Sequence, residues 1–161
     1  MSKKAIFYGS TTGTAEEVAG KIGAALGADV FNVTDLSADK IAEYDTLIFG
    51  SSTWGAGELQ DDWYDGVKVL KSSNLQGKTV ALFACGDSSS YSDTFCDAMG
   101  LIYQEIANSG AIIVGQTPTD GYSFDSSISV VDGKFVGLAI DEVNESNKTD
   151  ERIAAWVKNI Q

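Results

Sequence analysis

The chain has 161 residues, and this length predicts one domain, residues 1–161. Because 43% of the residues are hydrophobic and 10% are aromatic, the composition excludes an intrinsically disordered chain. Eleven basic and 23 acidic residues give a net charge of -12, which disfavours nucleic acid and anionic membranes as partners and favours proteins with a basic face. No apolar run has the length of a signal-peptide core or a membrane span, and we expect a cytoplasmic protein.

The residues available for chemistry are few. There is no histidine, and the two cysteines, Cys85 and Cys96, have neither the spacing of a redox pair nor that of metal ligands. We therefore predict free thiols, no metal and no catalytic triad. Any redox chemistry would have to come from a bound cofactor.

Short and almost continuously apolar runs alternate with segments of helical periodicity. Runs of this kind are typical of strands that are buried on both faces. The predicted elements are, in chain order, a strand at 5–8, a helix at 15–26 with Thr14 and Glu17 as its capping box, strands at 30–33 and 46–49, a helix at 63–70, a strand at 79–84, a helix at 95–106, a strand at 112–114, an apolar segment at 138–140 and a helix at 153–160. The alternation predicts an α/β fold, a doubly wound parallel sheet with helices on both faces.

One connection, residues 116–137, is too long for an ordinary link between a strand and a helix. Its apolar stretches at 128–131 and 135–136 flank Asp132-Gly133, a pair typical of tight hairpin turns. The pattern predicts a small hairpin inserted before residues 138–140.

The first predicted strand is followed by a loop that consists of Ser10, Thr11, Thr12, Gly13 and Thr14 and has no basic residue. Backbone N–H groups at a helix N-terminus, together with hydroxyl groups, can hold a phosphate. Neither the P-loop motif nor the G-x-G-x-x-G motif is present, which disfavours ATP, GTP and NAD. The alternative is a loop that only caps the helix.

Two further loops at the same edge of the predicted sheet carry aromatic residues, Trp54 after the third strand and Tyr91 after the fourth. Each residue alone could simply cover a loop. Because ligands of open parallel sheets bind beyond the carboxyl ends of the strands, the two rings beside a phosphate loop favour a flat ring system between them.

The motifs in these loops resemble those of the flavodoxins, of the long-chain type. The resemblance covers the whole chain and rests on residues 7–14, residues 53–60, Gly86-Asp87 with Tyr91, residues 119–122 and residues 133–142. It implies a five-stranded sheet of order 2-1-3-4-5 with FMN at the switch point, and it implies that residues 116–137 are an insertion that splits the last strand.

The resemblance also implies roles for individual residues. Residues 10–14 and Thr53 would hold the phosphate, Trp54 and Tyr91 would cover the two flavin faces, and Asp87 would accept from the flavin N3–H. The implied cofactor-binding set is Ser10, Thr11, Thr12, Gly13, Thr14, Ala15, Thr53, Trp54, Gly55, Ala56, Gly57, Cys85, Gly86, Asp87 and Tyr91. Family members usually carry Thr at the position of Ala15, so we expect FMN binding weaker by about 1 kcal/mol, the contribution of one hydrogen bond.

The implied function is that of a low-potential one-electron carrier that cycles between semiquinone and hydroquinone, not that of an enzyme. The Gly55-Ala56 peptide would respond to reduction, and acidic residues Glu58, Asp61, Asp62 and Asp65 would disfavour a second electron. The implied partners are basic-faced redox proteins, ferredoxin-NADP reductase-like or pyruvate oxidoreductase-like, and the chain is expected to be a monomer. The alternative is an FMN-dependent quinone or nitro reductase. A phosphorylated receiver domain is disfavoured, because it needs acidic residues at the ends of the first and third strands, where this chain has Gly and Ser.

Overall fold

The computed structural model describes residues 3–10, 13–54, 58–59 and 61–160, with the backbone alone for residues 54 and 58. Helices and strands alternate along most of the chain, as the apolar pattern predicts. The strands and helices are, in order, β1 Lys4–Gly9, α1 Thr14–Leu26, β2 Asp29–Asn32, α2 Ala38–Ala42, β3 Thr46–Trp54, β4 Glu58–Leu59, α3 Asp62–Lys71, β5 Thr79–Cys85, α4 Asp97–Ile106, β6 Ile112–Val114, β7 Thr117–Pro118, β8 Val130–Val131, β9 Lys134–Phe135, β10 Leu138–Ile140 and α5 Thr149–Ile160.

The main sheet has the strand order β2-β1-β3-β5-β10, and these neighbours are parallel. The predicted order 2-1-3-4-5 is therefore confirmed. β1 lies between β2 and β3, with Phe7 aligned to Phe31 on one side and to Phe49 on the other. The order reverses at β1, because the chain first moves outward to β2 and then returns past β1 to β3.

Two core clusters form because apolar side chains alternate between the two faces of the buried strands. Ile6 and Ile48 pack on one face with α1 and α5, while Phe7 and Phe49 pack on the other face with α3 and α4. The second face is also tied by a hydrogen bond, in which Trp63 Nε1 donates to the backbone oxygen of Gly50 at 2.7 Å. Helices therefore cover both faces of the sheet, as predicted.

The last strand of the sheet is split. β6 pairs with the first half of β5, where Thr79 aligns with Ile112, and β10 pairs with the second half, where Cys85 aligns with Ile140. Between them the chain forms a small antiparallel sheet of order β7-β9-β8. Its hairpin turns at Asp132 and Gly133, which both have positive φ (54° and 81°), as the two-residue turn requires. The predicted hairpin insertion is confirmed.

The insertion is attached to the main domain by aromatic packing and by its polar residues. The rings of Phe95, Tyr122, Phe124 and Phe135 contact one another, with centroid distances from 5.0 to 6.0 Å. Ser129 Oγ is buried and accepts from the backbone N–H of Gly100 in α4 at 2.8 Å. These contacts make the insertion part of the same packed unit as α4.

Two local predictions differ from the structure. The predicted capping box is wrong, because α1 begins one residue earlier than it requires: Gly13 is the N-cap, at φ 95°, and it makes no side-chain capping bond. The five-residue helix α2 was not predicted, because so short a segment shows no periodicity, although Ser37 caps it by accepting from the N–H of Lys40. Within the described residues, no helix is long and apolar enough to span a bilayer.

Candidate functional site

The carboxyl ends of three neighbouring strands lie at one edge of the sheet. Gly9 at the end of β1 aligns with Ser51 in β3, and Ser52 aligns with Cys85 at the end of β5. The three motifs that the sequence singles out lie at these strand ends or directly after them. The fold therefore brings the predicted phosphate loop next to the segments that carry Trp54 and Tyr91.

The phosphate loop leads directly into α1. Ser10 Oγ accepts a hydrogen bond from the N–H of Gly13 at 3.0 Å, and the first helical bond runs from the N–H of Glu17 to the oxygen of Gly13. The N–H groups of residues 14–16 therefore have no partner within the helix. With the positive end of the helix dipole, they form an anion-binding terminus without a basic side chain. Thr11 and Thr12 lie outside the described residues.

Ala15 contributes to this terminus through its backbone only. Its side chain is fully buried in the core cluster that also contains Ile6 and Val18. A hydroxyl added at this position would enter space that apolar side chains fill. The expected tightening of FMN binding by Ala15→Thr stays a prediction, and the packing of Ala15 opposes it.

One acidic side chain of the first turn of α1 is fixed beside the loop. Tyr8 donates its hydroxyl proton to Glu16 Oε2 at 2.8 Å. The pKa of Tyr8 is raised, first by burial and then by this bond and the negative charge of Glu16. The bond joins the end of β1 to the start of α1 on both sides of the phosphate loop.

The sequence predicts that Trp54 lies in a loop after the third strand, but this is wrong, because β3 continues beyond its apolar run and pairs Thr53 and Trp54 with β4. Thr53 Oγ1 accepts from the N–H of Ala98, at 3.4 Å, in the first turn of α4. Its hydroxyl proton is not committed by that bond, so its predicted role as a phosphate donor stays a prediction. The side chain of Trp54 and residues Gly55, Ala56 and Gly57 lie outside the described residues.

At the end of β5, the N–H of Gly86 is already used by the sheet. It donates to the oxygen of Ile140 at 2.9 Å, which continues the pairing with β10, so it is not available to a ligand. A side chain at Gly86 would place its Cβ 2.9 Å from the nitrogen of Cys96, so glycine is required there. Both cysteines are free thiols, and burial raises the pKa of Cys85 to about 12.

The loop from Asp87 to Tyr91 is held by its own carboxylate. Asp87 Oδ1 accepts from the N–H groups of Ser89 and Ser90, both at 3.0 Å, and the backbone oxygen of Asp87 accepts from the N–H of Tyr91 at 3.0 Å. The bond from Ser90 is the main cause that lowers the pKa of Asp87. The predicted bond from Asp87 to the flavin would therefore use the other carboxylate oxygen. Tyr91 is 46% exposed at this edge.

Two residues at this edge were not predicted as site residues. Asp141 is fully buried and accepts from the N–H of Ser88 at 3.1 Å, and Asn144 Nδ2 donates to Asp87 Oδ1 at 2.8 Å. Asp141 appears in a quoted motif, but nothing in the spacing indicates that it contacts residue 88. Among the described residues, no group of three potential metal ligands is present.

Comparison with known proteins identifies the family. Residues 6–156 match the family model described as Flavodoxin. Flavodoxin 1 of Azotobacter vinelandii is 44% identical, over 100% of this chain and 97% of that protein, and Flavodoxin 1 of Escherichia coli is 45% identical, over 99% and 93%. The crystal structure of the Fusobacterium nucleatum flavodoxin bound to flavin mononucleotide has a TM-score of 0.93 and 31% identity, over 99% of this chain and 97% of that one. The chain therefore belongs to the flavodoxin family.

Proposed function

We propose that this chain binds one FMN at the carboxyl edge of its sheet and carries single electrons between redox proteins. The observation that carries the proposal is the N-terminus of α1, where three backbone N–H groups without helical partners lie at the same edge as the exposed ring of Tyr91. The membership of the family and the FMN in the F. nucleatum relative support it.

The described residues fit the phosphate of FMN. A phosphate dianion needs several convergent donors, and the N–H groups of residues 14–16 with the hydroxyls of Ser10 and Thr14 supply them. An added Cβ at Gly13 would have no atom within 4 Å, so the loop leaves open space at the helix terminus. The missing basic residue keeps this loop from adding positive charge next to the flavin.

The described residues also fit the ring system. The hydroxyl-rich loop 86–91 presents Tyr91 to solvent, and an aromatic side chain with nearly half of its surface exposed gains contact area when a flat ring covers it. We assign one flavin face to Tyr91 and the other to Trp54. The oxygen of Gly86 and the second carboxylate oxygen of Asp87, Oδ2, are the acceptors we assign to the pyrimidine edge.

FMN, when bound, supplies the ability to accept and return electrons one at a time. The protein's part is to hold the ring, to exclude water from its faces and to set its surrounding charge. Asp61, Asp62 and Asp65 lie at the start of α3, directly after the loop that contains Trp54. Their negative charge makes added negative charge on the flavin less favourable, so we infer a low reduction potential for the second electron. The Gly55-Ala56 peptide is our candidate for the backbone group that responds to reduction.

Flavodoxins exchange electrons with other redox proteins, and we infer that this chain docks through its acidic surface. A net charge of -12 attracts basic faces over long range, which speeds encounter and keeps binding sensitive to salt. Ferredoxin-NADP reductase-like and pyruvate oxidoreductase-like enzymes are the partners we propose, with a monomeric carrier in which residues 1–161 form one unit. The two free cysteines agree with a cytoplasmic location.

The curated relatives are flavodoxins, which are electron carriers and not enzymes with a substrate of their own, so the reductase alternative is not favoured. One experiment tests the proposal directly: purified apoprotein is mixed with FMN and then reduced stepwise while its visible spectrum is recorded. We expect stoichiometric binding and two separate one-electron steps. A protein that ignores FMN overturns the proposal, and oxidation of NAD(P)H by the purified protein alone would favour the reductase.

A further inference from the structure

Asn144, in the loop after β10, contacts several groups of the flavin edge with one side chain. Its Nδ2 donates to Asp87 Oδ1 at 2.8 Å and to the two carboxylate oxygens of Asp141 at 3.1 and 3.2 Å. Its Oδ1 accepts from Ser89 Oγ at 2.9 Å, which fixes the orientation of the amide. A single side chain therefore joins the loop 87–91 to the end of the split strand.

The two carboxylates that share this amide are otherwise served only by neutral donors. Asp141 is fully buried and accepts from the backbone and the hydroxyl of Ser88, and its Oδ1 also accepts from the N–H of Asn144 at 2.9 Å. Among the described residues, no lysine or arginine forms an ion pair with Asp87 or Asp141. Two carboxylates near each other without a cation repel, and an N–H group that donates to both offsets part of that repulsion. Asn144 Nδ2 is such a donor.

We propose that Asn144 is a positioning residue for FMN, which holds the loop 87–91 in its binding conformation before the flavin arrives. This inference rests on the proposed function, because it assigns the loop to the flavin. The loop is short, polar and partly exposed, and its ordering at the moment of binding would cost affinity. An amide that holds Asp87 and Ser89 in place removes part of that cost and restricts the loop that carries Tyr91.

The main test replaces Asn144 with Ala in the full chain and measures the dissociation constant of FMN and the amide hydrogen exchange of the apoprotein. We expect the dissociation constant to rise about tenfold, as the loss of one or two such hydrogen bonds implies. We also expect Ser88, Ser89 and Ser90 to exchange faster without FMN. The matched control is Asn74→Ala, which removes a similar turn bond to Gln76 before β5, at the opposite edge of the sheet, and should change neither quantity.

A second variant, Asn144→Asp, keeps the shape but replaces the donor by a third carboxylate. The charged groups around it are Asp87 across the loop, Asp141 at its base, and Glu142 and Glu145 beside it in the chain. Lys148 and Arg152 are paired with Glu145. At pH 7.5 we expect FMN to bind more weakly than to Asn144→Ala, because three carboxylates repel. At pH 5 the variant should approach the wild type, since a protonated carboxyl donates again.

The ratio of variant to wild-type dissociation constants is the quantity compared, because the ratio cancels the titration of the FMN phosphate itself. A ratio for Asn144→Asp that does not change with pH, or unchanged FMN binding in Asn144→Ala, overturns the positioning role. Apoprotein exchange reports on the loop even if a variant binds no FMN. Failure of the wild type to bind FMN would instead overturn the proposed function, so the two failures are distinct.

Discussion

Ser10 and Gly13 are joined across the phosphate loop, where the Ser10 hydroxyl oxygen accepts from the N–H of Gly13 at 3.0 Å. The bond joins the end of β1 to the N-cap of α1 and leaves the Ser10 hydroxyl proton available to a ligand. Gly13 also takes the left-handed conformation in which the chain enters α1, at φ 95°. These two residues therefore fix the two ends of the predicted phosphate loop.

Gly13→Ala should destabilise the apoprotein by about 1 kcal/mol, because residues with a Cβ are strained at positive φ. FMN should also bind more weakly, since the helix terminus would shift. Urea unfolding and FMN titration measure the two effects. The matched control is Gly20→Ala in the middle of α1, where space is open and φ is not positive, so that stability should rise by about 0.5–1 kcal/mol.

Ser10→Ala should raise the FMN dissociation constant about tenfold, because it removes a phosphate donor and releases the N–H of Gly13. Fluorescence titration of FMN measures the change. Ser72→Ala serves as the control, since the Ser72 hydroxyl only donates to the oxygen of Val69 at the end of α3. Equal affinities of Ser10→Ala and the wild type would remove Ser10 from the phosphate site.

Replacing Asp61 and Asp62 together by Asn should raise the reduction potential of the second one-electron step. The increase should be on the order of 10–20 mV for each charge removed, which is the Coulomb effect of one charge about 10 Å from the flavin in a water-like medium. Spectroelectrochemistry with bound FMN measures it. The effect should shrink at high salt, because exposed charges are screened. Asp39→Asn with Glu43→Gln, at the helix that leads to the opposite edge of the sheet, changes the net charge equally and should leave the potential nearly unchanged.

The turn of Asp87 should weaken in acid. Hydrogen bonds, first that from the N–H of Ser90, lower the pKa of Asp87 in the folded protein. A carboxyl group with a lowered pKa stabilises the folded protein at pH values above its pKa in the unfolded chain, which is about 4. This contribution is lost as the pH falls through the pKa of the folded protein. A carboxyl NMR titration should give a lower pKa for Asp87 in the folded protein than for the same residue in the unfolded chain. In urea unfolding, the stability difference between wild type and Asp87→Asn should be constant from pH 7 to 5 and should diminish below pH 4.

Replacing Arg152 even by lysine should lower the stability of the protein. Its guanidinium lies over the Tyr122 ring, with Cζ 3.8 Å from the centroid, and Nη2 donates to the Gly121 oxygen and to Glu145. Arg152→Lys should cost about 1–2 kcal/mol in urea unfolding, because an ammonium cannot stack and bridge at once. The control Lys21→Met breaks an exposed pair with Asp150 and should cost less than about 0.5 kcal/mol.

Much of the fold could be predicted because its signals are local. The run 80–84 is apolar throughout, which is typical of a strand covered on both faces, and the Asp132-Gly133 pair has the conformation that its hairpin needs. The predicted capping box is wrong, and the residue pattern alone does not show why. Thr14 and Glu17 have the right spacing, but Gly13 reaches φ 95° and lets α1 start one residue earlier.

The position of a residue at the sheet edge could be predicted where it follows a strand end, as Ser10 and Tyr91 do. Contacts that depend on tertiary hydrogen bonds could not be predicted. Asn144 is 57 residues from Asp87 in sequence, and only the pairing of β10 with β5 brings the two together. The bond from the N–H of Gly86 to the oxygen of Ile140 depends on the same pairing.

Because the last strand is split, two different strands pair with the two halves of β5. β6 completes the sheet beside Thr79 to Ala81, and β10 completes it beside Phe83 to Cys85, next to the loop that we propose for the flavin. The chain between β6 and β10 leaves the sheet and then returns to it. Residues inserted at the exposed Asp132-Gly133 turn would therefore leave the register of β10 with β5 unchanged, and protein engineers could attach a peptide there without moving the proposed FMN site.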